Sequence, residues 1–430
     1  MDSVVSRLCA EVKLPQMYKI RQSFDSGCIP VKKIPEAVFT ELSRAELGDP
    51  VRRGKRIAIT CGSRGIANIA VITKAIADFV KSKGAFPFVV PAMGSHGGAT
   101  AEGQKALIAG YGVTEDFIGC PVLSSMETVI AGRSKLYLNK TYDVRIDMNA
   151  AGSDGIIVAG RVKPHTDFHG PYESGIMKMM TIGLGKREGA DICHQLGFGH
   201  MANMVPLFGK TIIKNAPAIM GFAILENAYS QTCKFAAMKP SEIETKEPEL
   251  LKEARGHLPS IPFTNTDILV IDRIGKDISG DGMDPNITGA SACSPFISDG
   301  IAATRTVILD LTPETHGCAM GIGAAHAITR RLFDKIDYDA TYVNAITSRG
   351  LDFVRIPLIA DSDSEAVRLA LRACIGHDSD NPKIGRIADS LHTETLFISG
   401  ALLNEAKANK KIEVLEGPFD WPFDRNGNLW

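Results

Sequence analysis

Arg56 to Val90 reads R-I-A-I-T-C-G-S-R-G-I-A-N-I-A-V-I-T-K-A-I-A-D-F-V-K-S-K-G-A-F-P-F-V-V, and its changes of periodicity decide the fold class. Arg56 to Thr60 is a short apolar run, as expected of a strand buried on both faces. The loop C-G-S-R-G breaks it, and from Ala67 to Val80 apolar residues recur at helical spacing. Phe86 to Val90 begins a second strand, whose loop P-A-M-G-S-H-G-G-A-T leads into a helical segment from Ala101 to Tyr111. Strand, helix and strand in succession form a crossover unit, so the class is α/β with parallel strands. Gly155 to Ala159 (G-I-I-V-A) supplies a third strand. Three strand ends then deliver three polar, glycine-containing loops to one edge, where ligands bind in open α/β sheets.

At 430 residues the chain exceeds what one hydrophobic core usually supports. Lys239 to Ser260 is dense in charge and punctuated by proline, and reads equally as a linker or a surface helix. Beyond it, Asp267 to Asp272 starts a second α/β pattern, continued by Thr306 to Leu309, a helix around Ala324 to Asp334 and a helix from Ser364 to Ala373. Thr395 to Ser399, the helix-like Ala401 to Ala408 and the aromatic tail P-F-D-W-P-F-D are expected to return to the first domain. The expected architecture is two α/β domains with the active site in the cleft between them. Residues 1–262 form an N-terminal cofactor-binding domain completed by 393–430, and residues 263–392 form a C-terminal domain.

Apolar residues make up 44% of the chain, charged residues 23%, and the net charge is −1. Without a basic excess to neutralise phosphates, nucleic acid is excluded as the main partner. No basic stretch precedes an apolar leader at the N-terminus and no run of about 18 apolar residues occurs, so a cytoplasmic protein without membrane attachment is expected. Nine scattered cysteines, with no C-x-x-C pair, read as reduced and mostly buried thiols, Cys61 and Cys193 included.

The densest chemistry lies between Val162 and His194, V-K-P-H-T-D-F-H-G-P-Y-E-S-G-I-M-K-M-M-T-I-G-L-G-K-R-E-G-A-D-I-C-H. Core packing does not require that mixture of His, Lys and Gly, whereas catalysis and cofactor binding do. G-L-G-K-R fails the phosphate-loop pattern, no G-x-G-x-x-G follows a strand, and no G-x-S-x-G elbow is present. His165, His169, His194 and His200 could supply imidazoles to zinc, nickel, copper or iron. Two histidines on opposite faces of a carbon can exchange proton roles near neutrality, and Arg64 and Lys276 can bind a carboxylate. Lys163 and Lys186 read as solvated or anion-facing, and Glu173 as a group orienting a histidine.

These residues resemble the nickel-dependent lactate racemase family of 2-hydroxy-acid racemases and epimerases. The shared pattern is S-R at Ser63-Arg64, G-S-H at Gly94 to His96, P-H at Pro164-His165, S-G-I-M-K at Ser174 to Lys178, and His194, 194 − 178 = 16 residues after the lysine. It covers most of the first domain and continues less clearly to I-G-K-D-I-S-G-D-G-M-D-P-N at Ile274 to Asn286. The resemblance implies a nickel-pincer nucleotide, a pyridinium mononucleotide that holds nickel through sulfur, carbon and sulfur and is completed by one protein histidine. It implies Lys178 as the tether, His194 as the nickel ligand, Ser63, Arg64 and Gly97 around the cofactor, and cofactor-synthesis proteins as partners. His96 and His165 would be the paired acid and base while hydride leaves C2 of the substrate for the cofactor and returns to the opposite face. Arg64 and Lys276 would hold the substrate carboxylate.

This chain also departs from the family. From His165 to Lys178 it spans 178 − 165 = 13 residues, three more than the family, so His169 competes with His165 as acid/base; His200 is a separate alternative to His194 as metal ligand. Cys61 replaces an acidic residue and I-M precedes Lys178, as in a divergent branch with a different substrate. The polar loop Asp277 to Asn286 points to a sugar acid or a dicarboxylic hydroxy acid. Two other readings stay open: a conventional divalent-metal isomerase or lyase using His165, His169 and His194, and a catalytically inactive small-acid-binding protein.

Overall fold

The computed structural model describes all residues except 1–3, 45, 46, 48, 63, 64 and 293–298. It is α/β throughout and divides into two compact units, Ser26–His257 and a second made of Met1–Asp25 with Leu258–Trp430. Strand β1 (Met17–Gln22) belongs to the second unit. Strands β2 (Arg56–Cys61), β3 (Phe86–Pro91), β4 (Thr128–Arg133), β5 (Asp143–Asp147), β6 (Gly155–Arg161), β7 (Ala218–Glu226) and β8 (Thr232–Met238) build the first.

The main sheet of Ser26–His257 has the order β3-β2-β6-β7-β8, parallel except for β8, while β4 and β5 pair separately. The apolar runs follow from burial on both faces. Along β2, Ile57 and Ile59 enter one core cluster and Ala58 the other; β6 likewise sends Ile157 one way and Ile156 and Val158 the other. A period of two divides each strand between two covered faces, so no polar alternation survives in the sequence. Helices Ile34–Leu42 and Ile69–Ser82 cover the first face, and helices Met201–Asn215 and Ile243–Gly256 the second.

The chain passes from β2 to β3, then crosses back to β6 on the far side of β2. The direction of winding therefore reverses between β2 and β6, and at such a switch point the loops leaving the carboxyl ends of the strands diverge and open space for a ligand. Here those loops begin after Cys61 and after Arg161.

Within Lys239 to Ser260, Ile243–Gly256 is a helix, so the stretch is not a linker. The Lys239 N–H donates to Glu242, Pro240 sits in the first turn, and Ile243, Leu250, Leu251 and Ala254 pack into the core. The division between the units falls directly after it.

In the second unit, β9 (Asn265–Ile274), β10 (Ala302–Leu311), β11 (Ala327–Thr329), β12 (Leu358–Ala360), β13 (Ile384–Ile387), β14 (Thr395–Ser399) and β15 (Ile412–Phe419) join β1 in one sheet, ordered β12-β11-β10-β9-β13-β14-β1-β15. Two expectations are corrected. Residues 393–430 complete this sheet and not the first domain: β14 pairs antiparallel with β13 and with β1, and β15 pairs with β1. Leu396, Ile398 and Ile20 thereby enter the same core as Leu269 and Ile271 of β9. The stretch from Ala324 to Asp334 is not one helix. Ala327–Thr329 pairs parallel with β10, leaving only Arg330–Phe333 helical. A slot in the sheet, buried on both faces, overrides the local helical pattern.

No helix among the described residues is long and apolar enough to cross a membrane.

Because both core clusters and the full five-stranded sheet of Ser26–His257 are internal to it, deleting 393–430 should leave that unit folded and collapse the second. Limited proteolysis of the truncated chain should then yield a stable fragment beginning near Ser26 and ending near His257, with rapid digestion of 258–392.

Candidate active site

The polypeptide from Ile176 to His194 is a composite helix, an α-turn at Ile176–Lys178, a π-turn at Met179–Gly183 and an α-helix at Lys186–His194. It runs beneath the loops that leave β2, β3 and β6. A Cβ on Gly62 would meet Met179 at 3.6 Å, one on Gly160 would lie 2.7 Å from Met179, and one on Gly94 would lie 3.2 Å from Ile182. π-turns are rare and gather at functional sites because they redirect side chains within a helix.

Lys186 lies at the joint and is wholly buried, which corrects its reading as solvated; the acid it faces is the protein's own Asp147. Its Nζ donates to the Pro91 carbonyl at the end of β3, to Gln104 Oε1 at 3.1 Å, and meets Asp147 Oδ2 at 3.2 Å. Burial pushes the lysine down and the aspartate up, and their mutual attraction opposes both shifts. Gln104 in turn donates to the carbonyls of Gly94, at 2.9 Å, and His96, at 3.2 Å. One buried ammonium thus fixes the shape of the glycine loop.

That loop leaves His96 exposed, just after the tight turn at Gly94 (φ 60°). Gly97 has a packing reason to be glycine: at φ 65°, a Cβ there would fall 2.6 Å from the backbone of Gly103.

The loop after β6 is closed on itself by reciprocal hydrogen bonds between Lys163 and Ser174. Buried Glu173 is its hub. It accepts from the backbone N–H of His165 at 2.7 Å and of Gly170 at 3.1 Å, contacts His169 Nδ1 at 3.2 Å, and pairs with Arg255 at 2.9 Å. His169 therefore presents a ring backed by a carboxylate. His165 is held otherwise: its ring lies against Phe168, with centroids 4.5 Å apart, and its Nδ1 accepts from the Asp167 backbone N–H at 3.0 Å. Its Nε2 meets Lys178 Nζ.

Lys178 ends the α-turn whose start is held by Glu247. That carboxylate accepts from the Met177 N–H at 3.0 Å, and burial pushes its pKa up to about 8. Gly175 is required here, because a Cβ would stand 2.1 Å from Glu247 Oε1. At the far end of the composite helix, His194 Nδ1 faces the Ala190 carbonyl at 2.7 Å. A carbonyl only accepts, so Nδ1 carries the hydrogen and Nε2 the lone pair, the form in which imidazole binds a metal. His200 instead meets the Tyr137 hydroxyl at 2.9 Å. Cys193 is fully buried, its thiol pushed up to about 12 by desolvation, and it serves as a small apolar residue, as does buried Cys61.

A chain of contacts thus joins the His96 loop, His165, Lys178 and the helix of His194. Ser63 and Arg64 lie outside the described residues. Lys276 belongs to the second unit, in the loop after β9, where that sheet reverses its winding between β9 and β13; its Nζ donates to Asn344 at 2.8 Å. Among the described residues no group of three or more His, Cys, Asp or Glu is placed to hold a metal ion, so a self-contained site of His165, His169 and His194 is not assembled.

Sequence reasoning missed Gln104, Asp147, Glu247 and Arg255. For Glu247 a signal exists: it interrupts the apolar stripe Ile243, Leu250, Leu251, Ala254, so an acid had to face the core.

No protein-family model matches the chain, and no curated protein matches it. Among solved structures it is similar to the lactate racemase apoprotein from Thermoanaerobacterium thermosaccharolyticum, at 14% identity and a TM-score of 0.47, over 87% of this chain and 89% of that one.

Replacing Lys186 by Met strands a buried aspartate, and removing one partner of such a pair costs about 3–5 kcal/mol. Urea unfolding should show a loss of that size for Lys186→Met and recovery of most of it in Lys186→Met/Asp147→Asn. For Glu247, the folded state keeps a proton that the unfolded chain releases near ~4.3. Its stabilisation is complete below that value and lost as pH rises through about 8. The thermal midpoint of the wild type should therefore decline between pH 6 and 9 more steeply than that of Glu247→Gln; parallel curves would assign the titration to another group.

Proposed function

We propose that the chain is a racemase or epimerase of a 2-hydroxy acid, either a sugar acid or a dicarboxylic hydroxy acid, dependent on a nickel-pincer nucleotide. The observation that carries this reading is the linkage of the family-like residues His96, His165, Lys178 and His194 through one buried framework in one unit. The donor set suits the group. His194 offers a single imidazole whose hydrogen-bonded Nδ1 leaves the Nε2 lone pair for a metal, and Lys178 offers a primary amine for a tether. Gly97, with Ser63 and Arg64, would complete its surroundings.

When bound, the cofactor supplies a hydride acceptor and donor at C2, chemistry that no side chain provides. The protein supplies proton transfer and orientation. His169, whose Nδ1 lies between the Glu173 carboxylate and the Arg255 guanidinium, is the histidine we assign to the substrate hydroxyl proton, and His96 the one that serves the opposite face. Exchange of the two roles returns the proton and yields the other configuration. His165, whose Nε2 is turned to Lys178, is assigned to that lysine instead. Arg64 and Lys276 are carboxylate ligands on chemical grounds. The eight described cysteines are free thiols, which suits a reducing cytoplasm where cofactor-synthesis proteins would load the chain.

Protein co-produced with a cofactor-synthesis system should contain nickel, show a mass increment on Lys178, and epimerise a 2-hydroxy acid in deuterated water without solvent deuterium at C2. Zinc with unmodified protein, or rapid deuterium entry at C2, would sink the reading. In the loaded enzyme, Glu173→Gln should lower kcat by about 100-fold with KM nearly unchanged, the scale of lost general acid–base catalysis.

A further inference from the structure

We propose that the helix Tyr338–Ser348 of the second unit is a dimerisation surface, on which a second copy of this chain packs antiparallel about a two-fold axis.

The helix has its amphipathicity reversed. A surface helix ordinarily turns its large apolar side chains to the core and its polar ones to water. Here Thr341 and Ala345 are buried, and half-buried Ala340 and Asn344 complete the inner side. Tyr338, Tyr342 and Ile346, spaced four apart, form a ridge on the outer side with Val343 beside it. All four are exposed, Val343 at 63% and Ile346 at 67%. Leu351, just beyond the helix, is exposed as well. Small and polar residues fit the helix to its own fold: the Thr341 hydroxyl accepts from the Ala319 N–H at 3.0 Å, and Asn344 accepts from Lys276 Nζ at 2.8 Å. The large apolar ones are left at the surface.

The size of the patch argues for a protein partner. Its five residues expose on the order of 500 Å², near the top of the range for the largest apolar patch of a monomer. Two copies pressed together would cover on the order of 1,000 Å², the least that a specific interface needs. Ile356 and Leu358, exposed on the way into the edge strand β12, extend the apolar surface along the chain. Two tyrosines among branched aliphatics is also the composition of an interface centre.

The charges choose a second copy as that partner. Asp339 lies on the outer side in the first turn, and Arg349 closes the other end of the helix, 349 − 339 = 10 residues or about 15 Å away. If a copy of the helix lies antiparallel over the first with the axis level with Asn344, Asp339 stands against Arg349 of the copy, Tyr342 against Ile346, and Tyr338 close to Leu351. Opposite ends of the two helix dipoles then meet. A two-fold interface joins a patch to itself, so the patch must be complementary to itself, and this one is. A parallel copy would instead set like charges together at both ends. Exposed ion pairs add little affinity, but they fix orientation. The ridge and the Lys276 contact lie on opposite sides of the helix, so the pairing leaves that lysine in place.

Sedimentation equilibrium of the full-length chain between about 0.1 and 100 µM tests the proposal. The wild type should show a monomer–dimer equilibrium with a Kd on the order of 1–10 µM, as suits an interface near the lower size limit. Ile346→Glu, which places two carboxylates near the axis, should raise the Kd about 100-fold. Leu136→Glu, at an equally exposed leucine of the other unit, should leave it unchanged. Asp339→Arg and Arg349→Asp should each raise it about 10-fold, and the double variant should recover most of that loss, because the pair is then swapped and not removed. All these positions are exposed, so each variant should keep the wild-type melting temperature. A chain that stays monomeric at about 100 µM, a dimer indifferent to Ile346→Glu or equally weakened by Leu136→Glu, or a double variant no better than the singles would overturn the proposal.

Discussion

The buried ammonium of Lys186 is the constraint on which the rest of the site depends. It lies where the composite helix, the end of β3, the helix Ala101–Gly110 and β5 meet, and it touches each through Pro91, Gln104 and Asp147. A charge without solvent is tolerated only when the protein satisfies it, and here Pro91 and Gln104 accept its hydrogen bonds while Asp147 supplies the opposite charge. Those segments cannot drift apart without exposing an unpaired charge. The glycine loop that carries His96 is thus tied to the core beneath it through Gln104, although its own residues are small and partly exposed. Breaking such a pair is costly, while replacing it with apolar groups often is not. Its value here is therefore positional, because it holds the end of β3, the helix Ala101–Gly110 and β5 in one relation.

Two buried acids perform a similar task at and before the start of the composite helix. Glu247 holds the amide that begins the turn ending in Lys178, and Glu173 holds the loop that presents His165 and His169. Both are buried, and both accept hydrogen bonds from backbone N–H groups. The two histidines differ through this arrangement and not through their sequence context. His169 receives the carboxylate at its ring; His165 receives it at its backbone and so leaves its ring to other partners. Residues four apart in one loop thereby acquire separate chemistry.

Much of the fold was legible because parallel strands buried on both faces leave unbroken apolar runs, and because glycine-rich loops mark their ends. The three loops after β2, β3 and β6 were found that way. The C-terminal strands were misassigned because a strand's sheet is decided by which edge stands open, and no local pattern records it: β14 met β13 and β1, not β8. Ala327–Thr329 was lost in a helical reading because three residues are too few to display a period. Lys186 was read as solvated because lysine usually is, and nothing in G-L-G-K-R announces the partners at Pro91, Gln104 and Asp147.

By itself the sequence determined the class of the fold, the loops that carry chemistry, and the residue types able to transfer protons, bind a metal or hold a tether, since each follows from short-range pattern and side-chain identity. Only the tertiary structure decided which histidine is backed by a carboxylate, which one meets Lys178, and which nitrogen of His194 keeps its lone pair. Those are matters of hydrogen-bond partnership across tens of residues, from Asp147 to Lys186 and from Glu173 to Arg255, and partners at that distance are chosen by packing.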